Sequence, residues 1–305
     1  MSSLPWRGTD GHLVYVRHTR LTRLRRAVRM RLIAGREADL SGIDARLSSV
    51  SAFFPCFDDS NTIPDLVRKV EASLKRITDD YEIIVVDDGS RDNSRDIVRG
   101  MMSQVPGLRL VEHERNRGYG GALRSGFDNA TKDYVFYTDG DGQYDPSEIE
   151  VLAKYMRPGV DVVNGFKISR QDPWYRHVVG GAYQLSTRVL FGLPIRDVDC
   201  DFRLLRRSVF GRIQLESTNG AICIELVRKL KDSGCRMVEV PVHHYARAYG
   251  SSQFFKPKRI ARALAGMARW YFRLVILREQ KRQVKAQARR AHLAEDVEAV
   301  AGGSS

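Results

Sequence analysis

The chain has 305 residues, with 50 Lys and Arg against 37 Asp and Glu, a formal net charge of +13. The surplus sits at the ends: residues 1–48 carry ten Arg against four acids, residues 256–305 carry twelve Lys and Arg against four acids, and the middle keeps 28 basic and 29 acidic residues. A near-neutral body argues against a nucleic-acid-binding core, and two basic ends point to an anionic surface such as a membrane.

Residues 1–48 show no strand-like or well-capped pattern and read as a basic leader outside the fold. From Val50 the chain alternates strand and helix signals. Val50 to Pro55 is a short apolar run, and a helix is predicted over 63–77. Tyr81 to Val86 is a buried strand by its β-branched content, closing in Asp87-Asp88-Gly89-Ser90, with a helix from about Asp92. Leu108 to Glu112 is a third strand, followed by a Gly-rich turn and a helix to Ala130. Asp133 to Thr138 is a fourth, ending in Asp139-Gly-Asp-Gly-Gln143. Such alternation predicts right-handed β-α-β units in a mostly parallel α/β sheet flanked by helices, here over residues 49–255.

Ligands of open α/β sheets sit beyond the carboxyl ends of the strands. The acids stand there: Asp58 and Asp59, Asp87 and Asp88, Asp139 and Asp141. Two carboxylates at i and i+2 in a Gly-rich turn suit a hard cation such as Mg²⁺ or Mn²⁺ shared with substrate phosphates, and Gln143 can add a neutral oxygen. Asp and Gly are also ordinary turn residues, so the pair alone is a weak signal. Asp87 and Asp88 suit a ribose hydroxyl or a base N–H, or a turn closed by Ser90. Gly118-Tyr-Gly-Gly121 could bring backbone N–H groups near a phosphate, but Leu123 breaks a dinucleotide fingerprint.

Four ordered segments then carry a resemblance. Pro55-Cys-Phe-Asp-Asp-Ser-Asn-Thr-Ile63, Val85-Val-Asp-Asp-Gly-Ser90, Asn116-Arg-Gly-Tyr-Gly-Gly-Ala-Leu-Arg-Ser-Gly126 and Tyr137-Thr-Asp-Gly-Asp-Gly-Gln-Tyr-Asp-Pro146 resemble family 2 glycosyltransferases of the GT-A (Rossmann-like) fold. Within that family they are similar to polyprenyl- or dolichyl-phosphate mannose or glucose synthases. The resemblance implies a nucleotide-sugar donor of the GDP-mannose or UDP-glucose type, a lipid-phosphate acceptor and inversion at the anomeric carbon. It places Pro55, Phe57 and Asp59 around the base and ribose with Asp87 and Asp88 beside them. It places Asp139, Asp141 and Gln143 on the cation, and Lys167, Arg176 and Arg247 on the acceptor phosphate. Departures fall on the sugar and acceptor side. Asp58-Asp59 replaces Asn-Glu, Gly165-Phe-Lys167 replaces Gly-Ser-Arg, and Asp197-Val-Asp-Cys-Asp-Phe-Arg203 replaces Asp-x-x-Ser-Gly-Phe-Arg.

An anionic phosphate acceptor needs no general base. A sugar hydroxyl of a cell-surface glycan, the alternative acceptor, needs one, with Asp199, Asp201 and Glu225 as candidates by position. A sugar-nucleotide pyrophosphorylase would show a Gly-rich basic loop after the first strand, which Pro55-Cys-Phe-Asp-Asp59 is not. A non-catalytic membrane-binding module has no use for aligned acids. His243 and His244 point to opposite faces of a strand, which suits packing better than joint metal binding.

Ile260, Leu264, Met267, Trp270, Tyr271, Leu274 and Leu277 recur at helical spacing with Arg259, Arg262, Arg269 and Arg273 largely off the stripe. This predicts a basic amphipathic helix over 256–280, either docked on anionic lipid or packed on the domain. Residues 281–305 read as a charged tail. The cysteines Cys56, Cys200, Cys223 and Cys235 are widely spaced, which fits a reducing compartment rather than a disulfide framework. No apolar run reaches the roughly 18 residues a bilayer span needs. The expected location is cytoplasmic, peripheral at the inner face of the membrane.

Overall fold

The computed structural model describes residues 15–16, 46–169, 174–247, 249 and 257–289; the side chains of 15–16, 169, 174–180, 182–183 and 257–263 lie outside that description. The expected leader lies mostly outside the described residues, but Tyr15–Val16 forms a short strand paired with Val238 and Glu239, so this part does not stand outside the fold as expected.

The strands are β1 (Tyr15–Val16), β2 (Val50–Cys56), β3 (Tyr81–Asp87), β4 (Leu108–Glu112), β5 (Tyr134–Thr138), β6 (Val162–Ser169), β7 (Phe202–Arg206) and β8 (Met237–His243). They form one sheet in the order β1-β8-β6-β7-β5-β2-β3-β4. β2 runs parallel to β3 and β5, β3 to β4, and β6 to β8. β7 is antiparallel to both its neighbours, β5 and β6, and β1 is antiparallel to β8. The parallel half follows from the alternation of strand and helix. The reversed β7 has no signature in the sequence.

Both faces of the sheet are covered, so its central strands read as unbroken apolar runs rather than alternating ones. Successive side chains still divide between faces. Phe54 and Val85 face one core with Leu66, Val67, Val70 and Leu74 of α1 (Ile63–Ile77). Phe53, Ile84 and Val86 face the other, with Leu123 and Phe127 of α3 (Tyr119–Asn129) and Ile222 and Leu226 of α6 (Ile222–Asp232). The shorter α2 (Ser94–Met101) and α4 (Ile149–Tyr155) complete the first layer, and α5 (Trp174–Phe191) links β6 to the loop before β7. Helix α2 begins two residues after the expected Asp92, because the Asp92 carboxylate accepts from the Ser94 amide at 3.1 Å.

The C-terminal helix α7 (Pro257–Trp270) continues as a π-helical turn, Tyr271–Ile276. The chain then breaks at Arg278, with φ +55, and is helical again over 279–289. The expected helix over 256–280 is thus interrupted, and the helix that resumes at 279 runs on into the expected tail. Its stripe divides as well. Trp270 and Leu274 join the second core and Met267 and Tyr271 pack against it, whereas Leu264 stays exposed; Phe272 and Ile276, off the stripe, are exposed as well. Trp270 also donates from Nε1 to Ser217 Oγ at 2.5 Å. No described helix is long and apolar enough to cross a membrane.

Candidate active site

The carboxyl ends of β2, β3 and β5 lie side by side, and the loops leaving them meet. After β2, the Asp59 carboxylate accepts from the Phe57 amide at 3.1 Å. Thr62, at the start of α1, donates its hydroxyl to the Gly140 carbonyl at 2.6 Å. That bond ties the loop after β2 to the Asp139-Gly-Asp141 turn. A side chain at Gly140 would put its Cβ 2.5 Å from the Pro55 carbonyl oxygen, so the two loops touch only because position 140 is Gly. Phe57 is exposed, with the Arg91 guanidinium 5.3 Å from its ring centre. Arg91 is in turn held by Asp58. Pro55, Phe57 and Asp59 thus stand together at the carboxyl end of β2, against the Asp139-Gly-Asp141 turn.

Asp87 and Asp88 reach the same edge but turn inward. Asp87 accepts from the Gly89 and Ser90 amides and from Arg95 Nε. Asp88 accepts from the Arg117 and Gly118 amides at 2.7 and 3.0 Å and pairs with His113 Nδ1 at 2.7 Å. Both carboxylates are buried and organise the loops around the crevice.

Register explains what surrounds Asp139. In the antiparallel β5–β7 pair Thr138 lies opposite Phe202, so the residue after β5 sits beside the one before β7, which is Asp201. Burial pushes the Asp139 carboxyl well above the carboxylate range, with Asp201 and Asp141 adding to it. Tyr119 Oη opposes this by donating to Asp139 Oδ1 at 2.7 Å, as does the nearby Lys167 ammonium. Asp59 is pushed from its ordinary 3.8 to about 6, chiefly by burial and then by Asp141, while the Phe57 amide and Arg247 pull the other way. Like charges thus converge on one crevice.

Arg247 is brought into the site as an ion-pair partner of Asp141. Lys167, on β6, donates from its amide to Asp197 Oδ2 at 3.2 Å and from Nζ to the Asp199 carbonyl at 2.9 Å. Gln143 is held to the chain leaving β8: its Nε2 donates to the Tyr245 carbonyl at 3.1 Å and its carbonyl accepts from the Tyr245 amide at 2.8 Å. The Arg176 side chain, like that of Trp174, lies outside the described residues.

The three base candidates separate. Glu225 is fully buried and accepts from the Glu216 and Ser217 amides and from Lys229 Nζ, each at 2.8 Å. Its oxygens are taken, so the expectation of a base at Glu225 is corrected to a structural role. Asp201 pairs at 3.3 Å with Arg203, whose buried guanidinium also meets Asn164, Tyr137 and the Val198 carbonyl. Asp199 makes no side-chain hydrogen bond among the described residues. Burial pushes its carboxyl from 3.8 to about 7, opposed by Lys167 and aided by Asp197 and Asp201. His243 pairs with Glu148 at 2.7 Å and the His244 ring meets Tyr144 edge-on, so each histidine has its own hydrogen-bonding or packing partner.

Among the described residues no three His, Cys, Asp or Glu side chains come together as a full metal-ligand set. A site of two carboxylates still fits Mg²⁺ or Mn²⁺, which are commonly bound through one or two carboxylates plus substrate phosphates. Crowded carboxylates with raised affinity for protons are what a bound cation relieves.

A three-layer α/β sheet with acids gathered at its carboxyl edge is the architecture of the GT-A fold. Residues 51–214 match the sequence model of Glycosyl transferase family 2, and the chain belongs to that family. Among curated relatives, the undecaprenyl-phosphate 4-deoxy-4-formamido-L-arabinose transferase of Serratia proteamaculans is 31% identical over 216 residues, 70% of this chain and 65% of the relative. The enzyme of that name from Aeromonas hydrophila is 30% identical over 207 residues, 67% of this chain and 62% of the relative. The chain thus spans less than two thirds of the length of these relatives. Among solved structures, glucosyl-3-phosphoglycerate synthase from Mycobacterium tuberculosis, in complex with Mn²⁺, UDP and phosphoglyceric acid, superposes with a TM-score of 0.58 at 18% identity, covering 73% of this chain and 78% of that one. Mannosyl-3-phosphoglycerate synthase from Rubrobacter xylanophilus gives 0.56 at 17% identity, covering 77% and 75%. These two likenesses establish the GT-A fold.

The Tyr119 contact with Asp139 and the inward turn of Asp88 escaped the sequence reading. Their partners stand 20 to 30 residues away in the chain, and nothing local marks them.

Proposed function

We propose that this protein is an inverting glycosyltransferase that moves a sugar from a nucleotide-sugar to a polyprenyl phosphate. The observation that carries the reading is the convergence of Asp59, Asp139 and Asp141 with Lys167 and Arg247 in one crevice, in a chain whose curated relatives are undecaprenyl-phosphate sugar transferases.

The Phe57 ring and the loop after β2 hold the nucleoside. Asp139 and Asp141 hold a divalent cation with the donor diphosphate, and Gln143 shapes the turn that presents them. When bound, that cation neutralises charge on the departing diphosphate. The acceptor phosphate is already anionic near neutral pH. Lys167, Arg247 and Arg176 orient it. Its oxygen forms the new bond at the anomeric carbon as the bond to the nucleoside diphosphate breaks on the opposite side. No side chain has to remove a proton.

We further propose that the enzyme works peripherally at the inner face of a membrane. Leu264, Phe272 and Ile276 near the C-terminus, with Leu185, Val189 and Leu190 of α5, supply exposed apolar side chains. Arg188, Arg269 and Lys281 supply basic neighbours in sequence.

A second reading, transfer to a sugar hydroxyl of a glycan, is favoured by Asp199, a carboxyl raised to about 7 with no side-chain hydrogen bond among the described residues. A panel of radiolabelled UDP- and GDP-sugars with undecaprenyl phosphate and Mn²⁺ separates the two. Label passing into the organic phase is the expected result. Label appearing only on an added glycan would overturn the lipid-phosphate reading.

A further inference from the structure

We propose that Tyr119 is a positioning residue for the divalent cation, fixing the Asp139 carboxylate through its phenol hydroxyl. This rests on the reading that Asp139 and Asp141 hold that cation. Tyr119 Oη donates to Asp139 Oδ1 at 2.7 Å. The other oxygen, Oδ2, accepts no hydrogen bond among the described residues. One oxygen is thereby fixed in direction and the other is left for a ligand.

The tyrosine is itself held from two sides. From the sheet, Asp88 takes the Arg117 and Gly118 amides, and His113 bridges Asp88 to Ser125 Oγ, one helical segment further along α3, at 2.7 and 2.8 Å. From the opposite side the loop carrying Ser217 and Thr218 presses on the start of α3. Gly120 donates its amide to the Thr218 carbonyl at 3.1 Å. Gly118 adopts φ +83, and a Cβ there would stand 2.3 Å from that same oxygen. Glu225 accepts from the Ser217 amide and Trp270 donates to its hydroxyl, so this loop is fixed in turn. The Tyr119 backbone has little room to move, and its hydroxyl is aimed before any ligand arrives.

Groups that hydrogen-bond a metal ligand set its orientation, and removing them typically costs ten- to a hundredfold in metal affinity. Phenylalanine at position 119 fills the same space and lacks only the donor. The test is a Mn²⁺ titration followed by electron paramagnetic resonance on the full chain and Tyr119→Phe, with saturating UDP and, separately, GDP. Metal-free nucleotide binding and Tm are measured alongside. The expected result is Mn²⁺ binding weakened about ten- to a hundredfold in the variant, with Tm and metal-free nucleotide binding unchanged. Equal Mn²⁺ affinity in the two proteins overturns the role of Tyr119 and leaves the cation reading standing. A parent protein that binds no Mn²⁺ with either nucleotide overturns both. Weakening accompanied by a lowered Tm and lost metal-free binding makes Tyr119 a packing residue and overturns the proposal.

Discussion

Asp139, Asp141 and Arg247 form a small circuit in which a guanidinium lies against one carboxylate of the turn and a phenol against the other. Asp141→Ala removes one of the two proposed cation ligands while leaving the strand behind it untouched. Transfer should fall by at least about a hundredfold, with Tm nearly unchanged. Near-normal turnover would remove Asp141 from the cation site. Asp199 supports a different test. Burial raises its carboxyl from 3.8 to about 7 in the folded state. The folded protein therefore holds that proton more tightly than the unfolded chain does. The associated stability is fully present below about pH 4 and is lost as pH rises through about 7. Asp199→Asn should therefore leave Tm unchanged near pH 4 and raise it by a few degrees at pH 8. A Tm difference independent of pH would mean that Asp199 is not strained by its charge. The acids themselves were legible in sequence because a buried β-branched run followed by Asp-Gly announces a strand end. Which acids face the crevice was not. Asp87 and Asp88 look like Asp139 and Asp141 until Arg95, His113 and the Gly118 amide claim them.

At the scale of elements, the readable part of the fold was the part built by local rules. Ile63–Ile77 and Leu108–Glu112 fall where periodicity and β-branched content put them. The reversed β7 is set by long-range pairing with β5 and β6, and it alone brings Asp201 beside Asp139. The amphipathic pattern near the C-terminus was legible, but its partner was not, since an apolar stripe fits a lipid surface and a protein core equally well. Packing divides it. Trp270 is 3% exposed, with Lys229 and Arg273 at 4.9 and 4.7 Å from its ring and its indole N–H on Ser217. Ser217 belongs to the loop that backs the start of α3, so this helix supports the site as well as the core. Trp270→Ala should cost about 3–5 kcal/mol in chemical denaturation, the range for a large aromatic removed from a core. A loss below about 1 kcal/mol would mean that the helix is not docked as described.

For the whole molecule, the +13 charge resolves into a near-neutral body and basic flanks. Beside one flank lies an uneven distribution of exposed apolar surface. Leu185, Val189 and Leu190 of α5 and Leu264, Phe272 and Ile276 near the C-terminus account for half of the twelve large exposed hydrophobic residues among those described. The two elements are in contact through the Phe191 and Tyr271 rings, 5.8 Å apart edge to face. The membrane docking proposed above would use these side chains, with each basic residue near the membrane adding about 1 kcal/mol and salt weakening the attraction. The full chain should therefore co-sediment with vesicles containing phosphatidylglycerol, and less so as NaCl rises from 0.05 to about 0.5 M. Replacing Val189, Phe272 and Ile276 by Ser leaves Trp270 and Leu274 in the core, so the fold should persist while vesicle binding falls at least about tenfold. Because the acceptor proposed here is a lipid, transfer to undecaprenyl phosphate in vesicles should fall with it, whereas transfer to a short detergent-soluble polyprenyl phosphate should not. Equal losses with both acceptors would place the defect in the crevice rather than at the membrane.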